Sequence, residues 1–294
     1  MSAEAIAKRV EDLGTHCERK SVYPYIDSLK DFGFDIVRSR KGSYFRSRLF
    51  EESEIQLLID AVKSSKTITP SQTQQLINTI LALTNKYEAT KIRTSNYVGS
   101  QSKTPNENVY FNIDGIQEAI IRDRKISFTY MIWDADKKLV PKADGNRYVI
   151  SPWCLIWESG RYYMAGYDEK ADLIKHYRVD KMNNVTIDKT KRDGADKYNL
   201  INESNYKNFG MFGGKLETVT LVADADCAGA IIDHFGDDVW LHKCEDKINC
   251  VVDVCISPRF FAWVASFNGQ MNIASPSWVL DEYKKMLMKC LGEE

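Results

Sequence analysis

Residues 148–182 read YVISPWCLIWESGRYYMAGYDEKADLIKHYRVDKM. This stretch contains three runs of β-branched and aromatic residues, at 148–157, 161–167 and 173–179, and each junction between them is rich in Ser, Gly or Asp. Runs of this length with turn residues between them are typical of β-strands joined by tight turns. The stretch therefore predicts three consecutive strands.

More strands flank these three. Residues 125–133 and 184–188 are also β-branched and aromatic, and residues 113–122 have helical periodicity. Five short strands with tight connections favour a small barrel or a curled sheet. The segment between residues 134 and 144 is rich in Asp and Lys and is predicted to be a turn.

The last third of the chain alternates between the two periodicities. Its predicted elements are, in order, strand, helix, strand, strand, helix, strand and helix: 216–223, 227–235, 239–243, 248–256, 259–268, 271–274 and 277–291. This order is typical of a ferredoxin-like sandwich. A further short helix is expected at 204–209.

The first 45 residues predict a helix-turn-helix followed by a wing. A helix over residues 2–13 stops at Gly14, and a second helix follows with Val22 and Ile26 on one face. Proline is disfavoured inside a helix, so we expect Ser21 to cap this helix and Pro24 to lie in its first turn. Strands at 34–37 and 43–45, joined by a basic turn, complete the wing.

Two amphipathic helices, 49–63 and 71–87, are expected to connect rather than catalyse, and a polar stretch at 90–107 suggests a boundary. The fold class is therefore α+β and multidomain. Four domains are predicted: a winged helix-turn-helix at 1–48, a helical linker at 49–107, a small β-barrel domain at 108–203 and a ferredoxin-like domain at 204–294.

Composition excludes several function classes. No apolar run is long enough for a membrane helix, and a net charge of −1 confines any attraction to nucleic acid to local patches. The cysteines include no Cys-x-x-Cys pair, and no catalytic or phosphate-loop motif occurs. We expect a cytoplasmic protein that is not an enzyme, without catalytic residues, metal site or cofactor.

Three segments together resemble the ordered signature of the WYL-domain transcriptional regulators: 151–155 (SPWCL), 160–165 (GRYYMA) and 176–182 (HYRVDKM). The Trp-Tyr-Leu triplet of that family appears here as Tyr162-Tyr163-Met164, and its closing arginine appears as Lys181. Residues 21–29 and 209–214 are similar to the family's recognition helix and interdomain linker.

The resemblance implies a winged helix-turn-helix, an SH3-like WYL barrel that binds a nucleotide or nucleic-acid fragment, and a C-terminal extension domain, usually in a homodimer on double-stranded DNA. It also implies that the first helix of the DNA-binding module is missing, because the sequence starts within the family's second helix. A shortened module of this kind puts duplex binding in question.

Strand alternation supplies a candidate ligand site. His176 and Arg178 point to one side of their strand, and a guanidinium beside an imidazole suits a phosphate. The family signature adds Lys181, with Tyr163 for stacking or hydrogen bonding and Ser151 as a hydroxyl at the rim. The alternative is a solvated strand face whose cations pair with nearby carboxylates.

Basic residues supply a candidate DNA-binding surface. The helix residues lie away from the Val22 and Ile26 face, and the wing residues belong to a run without acids, so both are predicted to contact duplex DNA. The predicted contacts are Arg19, Lys20, Tyr23, Arg38, Arg40 and Lys41. The alternative is a solvated run of charges.

The function favoured by these observations is ligand-responsive transcriptional regulation, in which the barrel senses a nucleotide or oligonucleotide and the wing module binds an operator. The competing hypothesis is an accessory protein that binds single-stranded nucleic acid through the barrel and does not recognise an operator.

Overall fold

The computed structural model describes residues 1–46, 50–84, 86–95, 102–142, 145–202 and 214–292. Packing divides the chain into two units. The first comprises Met1–Ser64 with Pro70–Gln101, and the second comprises Ser65–Thr69 with Ser102–Glu294. The four predicted domain ranges stay a prediction.

The first unit begins with two helices and a hairpin. They are α1 (Ala3–Glu11), α2 (Arg19–Asp31), β1 (Ile36–Ser39) and β2 (Gly42–Phe45). A small core of buried side chains holds them together, namely Ala7, Cys17, Val22, Ile26 and Ile36. The order helix, turn, helix, hairpin is the one that the sequence predicted.

The predicted start of α2 was wrong. The helix begins at Arg19 after Glu18, so Pro24 lies inside it rather than in its first turn. Pro24 has no N–H to donate to the carbonyl of Lys20, which ordinarily weakens a helix. Val22 and Ile26 are 2% and 6% exposed, and their burial offsets that loss.

Three helices complete the first unit: α3 (Glu52–Ser64), α4 (Pro70–Leu81) and α5 (Lys86–Ser95). Their shared core contains Ile55, Ile59, Ile77, Leu81 and Ile92. The prediction of one helix over 71–87 was wrong. The chain turns at 82–84, and α5 occupies part of the predicted boundary because Ile92 is buried.

The second unit contains a curled antiparallel half-barrel sheet with one helix beneath it. The elements are α6 (Val109–Ile121), β3 (Arg124–Trp133), β4 (Leu139–Pro141), β5 (Tyr148–Glu158), β6 (Arg161–Asp168), β7 (Leu173–Arg178) and β8 (Met182–Lys191). The strand order is β4-β3-β5-β6-β7, and β8 also pairs with β3. The short β4 corrects the predicted turn at 134–144.

Side chains from α6 and the concave face of the sheet form the core of this half-barrel. Four rings, of Phe128, Tyr130, Tyr148 and Tyr177, contact one another with centroids 5.4 to 6.4 Å apart. Aromatic pairs at such distances stabilise a core beyond their buried area. The concave face is thus filled by side chains, and the convex face of β5, β6 and β7 is the one that lies away from this core.

A further helix, α7 (Ala195–Asn202), follows β8 and was not predicted. The Tyr198 ring stacks on Trp153 of β5 at 5.2 Å, and Lys197 pairs with Asp172 at 2.9 Å. These contacts place α7 across one end of the convex face. The helix predicted at 204–209 lies outside the described residues.

The C-terminal part has all seven predicted elements. They are β9 (Leu216–Asp224), α8 (Ala228–Phe235), β10 (Trp240–Cys244), β11 (Lys247–Cys255), α9 (Pro258–Ala265), β12 (Met271–Ser275) and α10 (Ser277–Leu291). The sheet is antiparallel in the order β10-β11-β9-β12. No helix within the described residues is long and apolar enough to cross a membrane.

Candidate anion site and candidate nucleic-acid interface

The register of β6 and β7 decides which side chains share a face. Tyr163 lies opposite Arg178, and Met164 lies opposite Tyr177. Met164 and Tyr177 are buried in the core, so Tyr163, His176 and Arg178 project from the convex side. The predicted shared face of His176 and Arg178 is therefore present.

Arg178 is held by a carboxylate. Its Nε donates to Asp180 Oδ1 at 3.0 Å and its Nη2 donates to Asp180 Oδ2 at 2.7 Å. Arg161 donates through Nη1 to the same Oδ2 at 2.9 Å. We call Arg161, Arg178 and Asp180 the arginine cluster. The alternative expected from the sequence, a cation paired with a nearby carboxylate, is thus present.

Asp180 lies deeper than the two arginines. Its side chain is 3% exposed, whereas those of Arg161 and Arg178 are 18% and 27% exposed. The carboxylate is therefore internal, while both guanidinium groups reach solvent. Arg178 uses two of its three nitrogens on Asp180 and Arg161 uses one, so N–H groups remain to bind an anion.

Two amides fix the backbone around Asp180. Asn106 Nδ2 donates to the carbonyls of Asp180 and Met182 at 3.0 and 2.9 Å. The buried Asn112 donates to Val179 and Met182 at 3.3 and 2.8 Å. The 3₁₀ turn Val179–Lys181 is therefore held from behind, which fixes the carboxylate that orients the arginines.

The two arginines differ in their electrostatic environment. Burial alone would lower the pKa of Arg178, but its two hydrogen bonds to Asp180 outweigh burial and raise the pKa. Burial and the adjacent charge of Arg178 lower the pKa of Arg161, which makes one hydrogen bond to the carboxylate. Both stay cationic at neutral pH.

Lys181 adds positive charge beside the arginine cluster. Burial, followed by the charge of Arg178, lowers its pKa, and it also interacts with Asp180, Arg161 and Lys142. Cations thus outnumber the single carboxylate in this group of charges. An excess of positive charge at a partly buried surface is what an anionic ligand requires.

His176 lies on the same face, but its ring is mostly buried. Its Nε2 is inaccessible to solvent and has no hydrogen-bond partner among the described residues. Burial lowers the pKa of His176, which favours the neutral imidazole. As a neutral group, His176 offers an anion one N–H rather than a charge.

Ser151 lies opposite Tyr167 on the side of the sheet away from the core, but it does not reach solvent. It is 1% exposed, and its Oγ accepts a hydrogen bond from the N–H of Asp193 at 2.9 Å. Nearby, Arg192 lies 4.2 Å over the Trp153 ring and donates to the carbonyl of Pro152 at 2.9 Å. Ser151 thus anchors the segment that leads into α7.

In the first unit, Arg38 is tied to the helix rather than free. Its Nη2 pairs with Asp27 at 2.7 Å and donates to the carbonyl of Tyr23 at 2.6 Å. Its guanidinium also lies 5.5 Å from the centroid of the Tyr23 ring. Arg38 and Tyr23 therefore brace the hairpin against α2.

The other predicted DNA contacts are at the surface. Arg40 and Lys41 form the hairpin tip, and Lys20 lies exposed in the first turn of α2. Arg19 pairs with Glu4 at 2.9 Å, with both side chains more than half exposed. An ion pair as exposed as this one contributes little to stability, so Arg19 can exchange Glu4 for a DNA phosphate.

Two residues of the arginine cluster were not among the predicted ligands. Arg161 lies within the signature segment 160–165 but was assigned no role. Asp180 follows β7, where alternation no longer applies because the chain enters a 3₁₀ turn. The Arg-x-Asp spacing of residues 178–180 was the signal that could have revealed this bidentate pair.

The second unit contains a curled β-sheet whose convex face carries clustered cations. Residues 112–187, which include most of this sheet, match the family model of the WYL domain. Tyr162, Tyr163 and Met164, which replace the family's triplet, lie on β6 beside the arginine cluster.

Two solved structures are similar to this chain. Proteasome accessory factor B/C (PafBC) of Arthrobacter aurescens is 16% identical with a TM-score of 0.29, covering 95% of this chain and 44% of that one. A CRISPR Cas-related protein is 13% identical with a TM-score of 0.41, and the match covers 82% of this chain and 71% of that protein's chain. This chain thus spans less than half of the PafBC chain. No curated protein matches the sequence.

Burial of His176 predicts how stability depends on pH. The pKa of His176 is lowered in the folded state, so the unfolded chain binds more protons as the pH falls through about 6.5, the ordinary histidine pKa. Stability should therefore fall between about pH 7.5 and 5.5, above the range where carboxylates titrate. In His176→Gln this fall should be smaller.

Urea unfolding across this pH range measures the effect. His234 also has a pKa lowered by burial, so part of the slope should remain in His176→Gln. His16, whose side chain is 82% exposed, provides the matched control His16→Gln. Equal pH slopes in wild type and His176→Gln would show that protonation of His176 does not oppose folding.

Proposed function

We propose that this protein is a ligand-responsive, DNA-binding transcriptional regulator, and that the arginine cluster binds a phosphate group of a nucleotide or oligonucleotide effector. The observation that carries this proposal is the shared carboxylate. Asp180 orients two guanidinium groups toward solvent yet neutralises only one of them. A phosphate would supply the second negative charge and accept the remaining N–H groups.

The other parts of the proposal follow the architecture. We assign residues 1–48 to a winged helix-turn-helix, residues 108–203 to an SH3-like sensor domain, and residues 204–294 to a ferredoxin-like domain, which the C-terminal sheet order supports. The proposed regulator has no catalytic activity, acts in the cytoplasm and binds operator DNA as a homodimer, since paired modules suit paired half-sites.

An accessory protein that binds single-stranded nucleic acid without operator recognition remains the second candidate. It is favoured by the large apolar side chains at the surface of the first unit. Phe32 is 83% exposed, and Phe34 and Phe45 are 48% and 57% exposed with their rings in edge contact. An exposed apolar surface of this kind marks a contact site for another molecule.

Removal of Arg178 tests the ligand site. Arg178→Ala should weaken binding of a 5′-phosphorylated oligonucleotide by about 1.5 to 3 kcal/mol, the range for a hydrogen bond to a charged group. Arg178→Lys should recover part of the loss because it keeps the charge but not the planar fork. Calorimetry on the purified proteins measures both.

A second barrel arginine serves as the control for this series. Arg147 donates to Ser127, Asn184 and Thr186, so Arg147→Ala should leave the affinity unchanged. If Arg178→Ala bound the oligonucleotide as tightly as wild type, Arg178 would be a structural arginine and the ligand site would lie elsewhere.

The hairpin tip tests duplex binding. The double variant Arg40→Ala, Lys41→Ala should weaken binding to all duplex sequences by a similar factor. The slope of log affinity against log salt should become shallower by about 0.9 for each phosphate that the variant no longer neutralises. A filter-binding titration at several salt concentrations measures the affinity and the slope.

The double variant Lys170→Ala, Lys189→Ala removes two exposed lysines of the second unit and should change neither quantity. Equal affinity and salt slope in the tip variant and wild type would remove the wing from the DNA interface. Absence of duplex binding by wild type would favour the accessory protein over the regulator.

A further inference from the structure

The five residues that join α3 to α4, Ser65–Thr69, belong to the second unit rather than to the helices on either side. We call them the strap. Four of them are buried, each less than 7% exposed: Ser65, Thr67, Ile68 and Thr69. A short polar connection between helices ordinarily lies in solvent, so burial of this one requires specific partners.

The strap is anchored on both sides of Arg161. The N–H of Lys66 donates to the carbonyl of Gly160 at 2.7 Å, and the N–H of Tyr162 donates to Thr67 Oγ1 at 3.0 Å. Ser159 and Gly160, which precede Arg161, both have positive φ and form the tight turn between β5 and β6. The main chain of Arg161 therefore cannot shift without disturbing both anchors.

The side chain of Arg161 contacts the strap and the arginine cluster at once. Its Nη1 lies 2.9 Å from Asp180 Oδ2 and 3.4 Å from the carbonyl oxygen of Lys66. That carbonyl also accepts from the N–H of Thr104 at 3.2 Å. Arg161 is thus the residue at which the candidate anion site and the strap meet.

Charge in the cluster determines how an anion acts on this junction. Arg161 and Arg178 share one carboxylate and repel each other, so a second negative charge would favour the arrangement in which both stay beside Asp180. With Arg161 held there, the two anchors at Gly160 and Tyr162 are held as well. An anion bound at the cluster would then oppose opening of the strap.

We propose that an anion bound to the arginine cluster stabilises the strap against local opening, and that Arg161 couples the two. The inference rests on the proposed ligand site. Because the strap is continuous with α3 and α4, occupancy of the site is communicated to the unit that carries the predicted DNA-binding module. Arg161 acts here as a positioning residue for the strap.

Amide hydrogen exchange at Lys66 and Tyr162 tests the coupling, with a 5′-phosphorylated thymidine trinucleotide as the probe and its affinity measured by calorimetry. If opening requires release of the probe, exchange at both amides should slow about tenfold when the probe is present at about ten times its dissociation constant. Opening that is independent of the probe leaves the rates unchanged.

Arg161→Met removes the hydrogen bonds to Asp180 and Lys66, and it should abolish the slowing when it is compared at the same multiple of its own dissociation constant. The matched control is Arg147→Met, because Arg147 donates to Ser127, Asn184 and Thr186 of the same half-barrel; it should keep the slowing. Arg161→Lys provides a second variant should Arg161→Met fail to fold, and should show a reduced slowing because one amine replaces the fork.

The outcomes separate the two proposals. Calorimetric binding without slowing in wild type would overturn the coupling and leave the ligand site intact. Equal slowing in wild type and Arg161→Met would show that the strap responds through another residue, and the role of Arg161 would be wrong. Absence of calorimetric binding would overturn the ligand site and the coupling with it.

Discussion

The ion cluster at Asp180 is the constraint on which the second unit depends. A carboxylate that is 3% exposed is costly to bury alone, and its two arginines compensate that cost. Asn106 and Asn112 bind the carbonyls on both sides of it, so the turn after β7 has one position. Removal of either arginine would leave the buried carboxylate with one cationic partner instead of two.

The arginine cluster lies on the convex face of the half-barrel, the face that the core does not fill. The concave face of the half-barrel is filled by four contacting rings and by α6, and α7 crosses one end of the convex face. The guanidinium groups stand at the other end, with Tyr163 opposite Arg178. Stability and the proposed ligand binding therefore depend on one set of charges, since Asp180 is buried with the fold and also orients the arginines.

Hydrophobic periodicity predicted correctly those helices and strands that bury one continuous face. All seven C-terminal elements alternate or repeat regularly, and they occur where the pattern placed them. The missed elements are too short for a clear periodic pattern or depend on contacts distant in sequence. β4 has three residues and pairs with the end of β3, and α7 is fixed by the stacking of Tyr198 on Trp153. Pro24 led to a predicted start of α2 that is later than the one that tertiary packing maintains.

The candidate site also contains residues that the sequence pattern placed correctly and residues that it could not place. Alternation placed His176, Arg178 and Tyr163 on one face, because all three lie within regular strands. Ser151 could not be placed by alternation alone, because the segment after β8 folds back and buries it. The role of Asp180 was hidden in the sequence by the 3₁₀ turn, and the strap was hidden because its partners lie about a hundred residues away.

A crystal structure of the protein with a 5′-phosphorylated thymidine trinucleotide would show whether the arginine cluster binds phosphate. We expect a phosphate within hydrogen-bond distance of the Arg178 and Arg161 guanidinium groups, with both arginines still bound to Asp180. A trinucleotide bound elsewhere on the protein, with the arginine cluster unchanged and without a phosphate against it, would show that the cluster is not the ligand site.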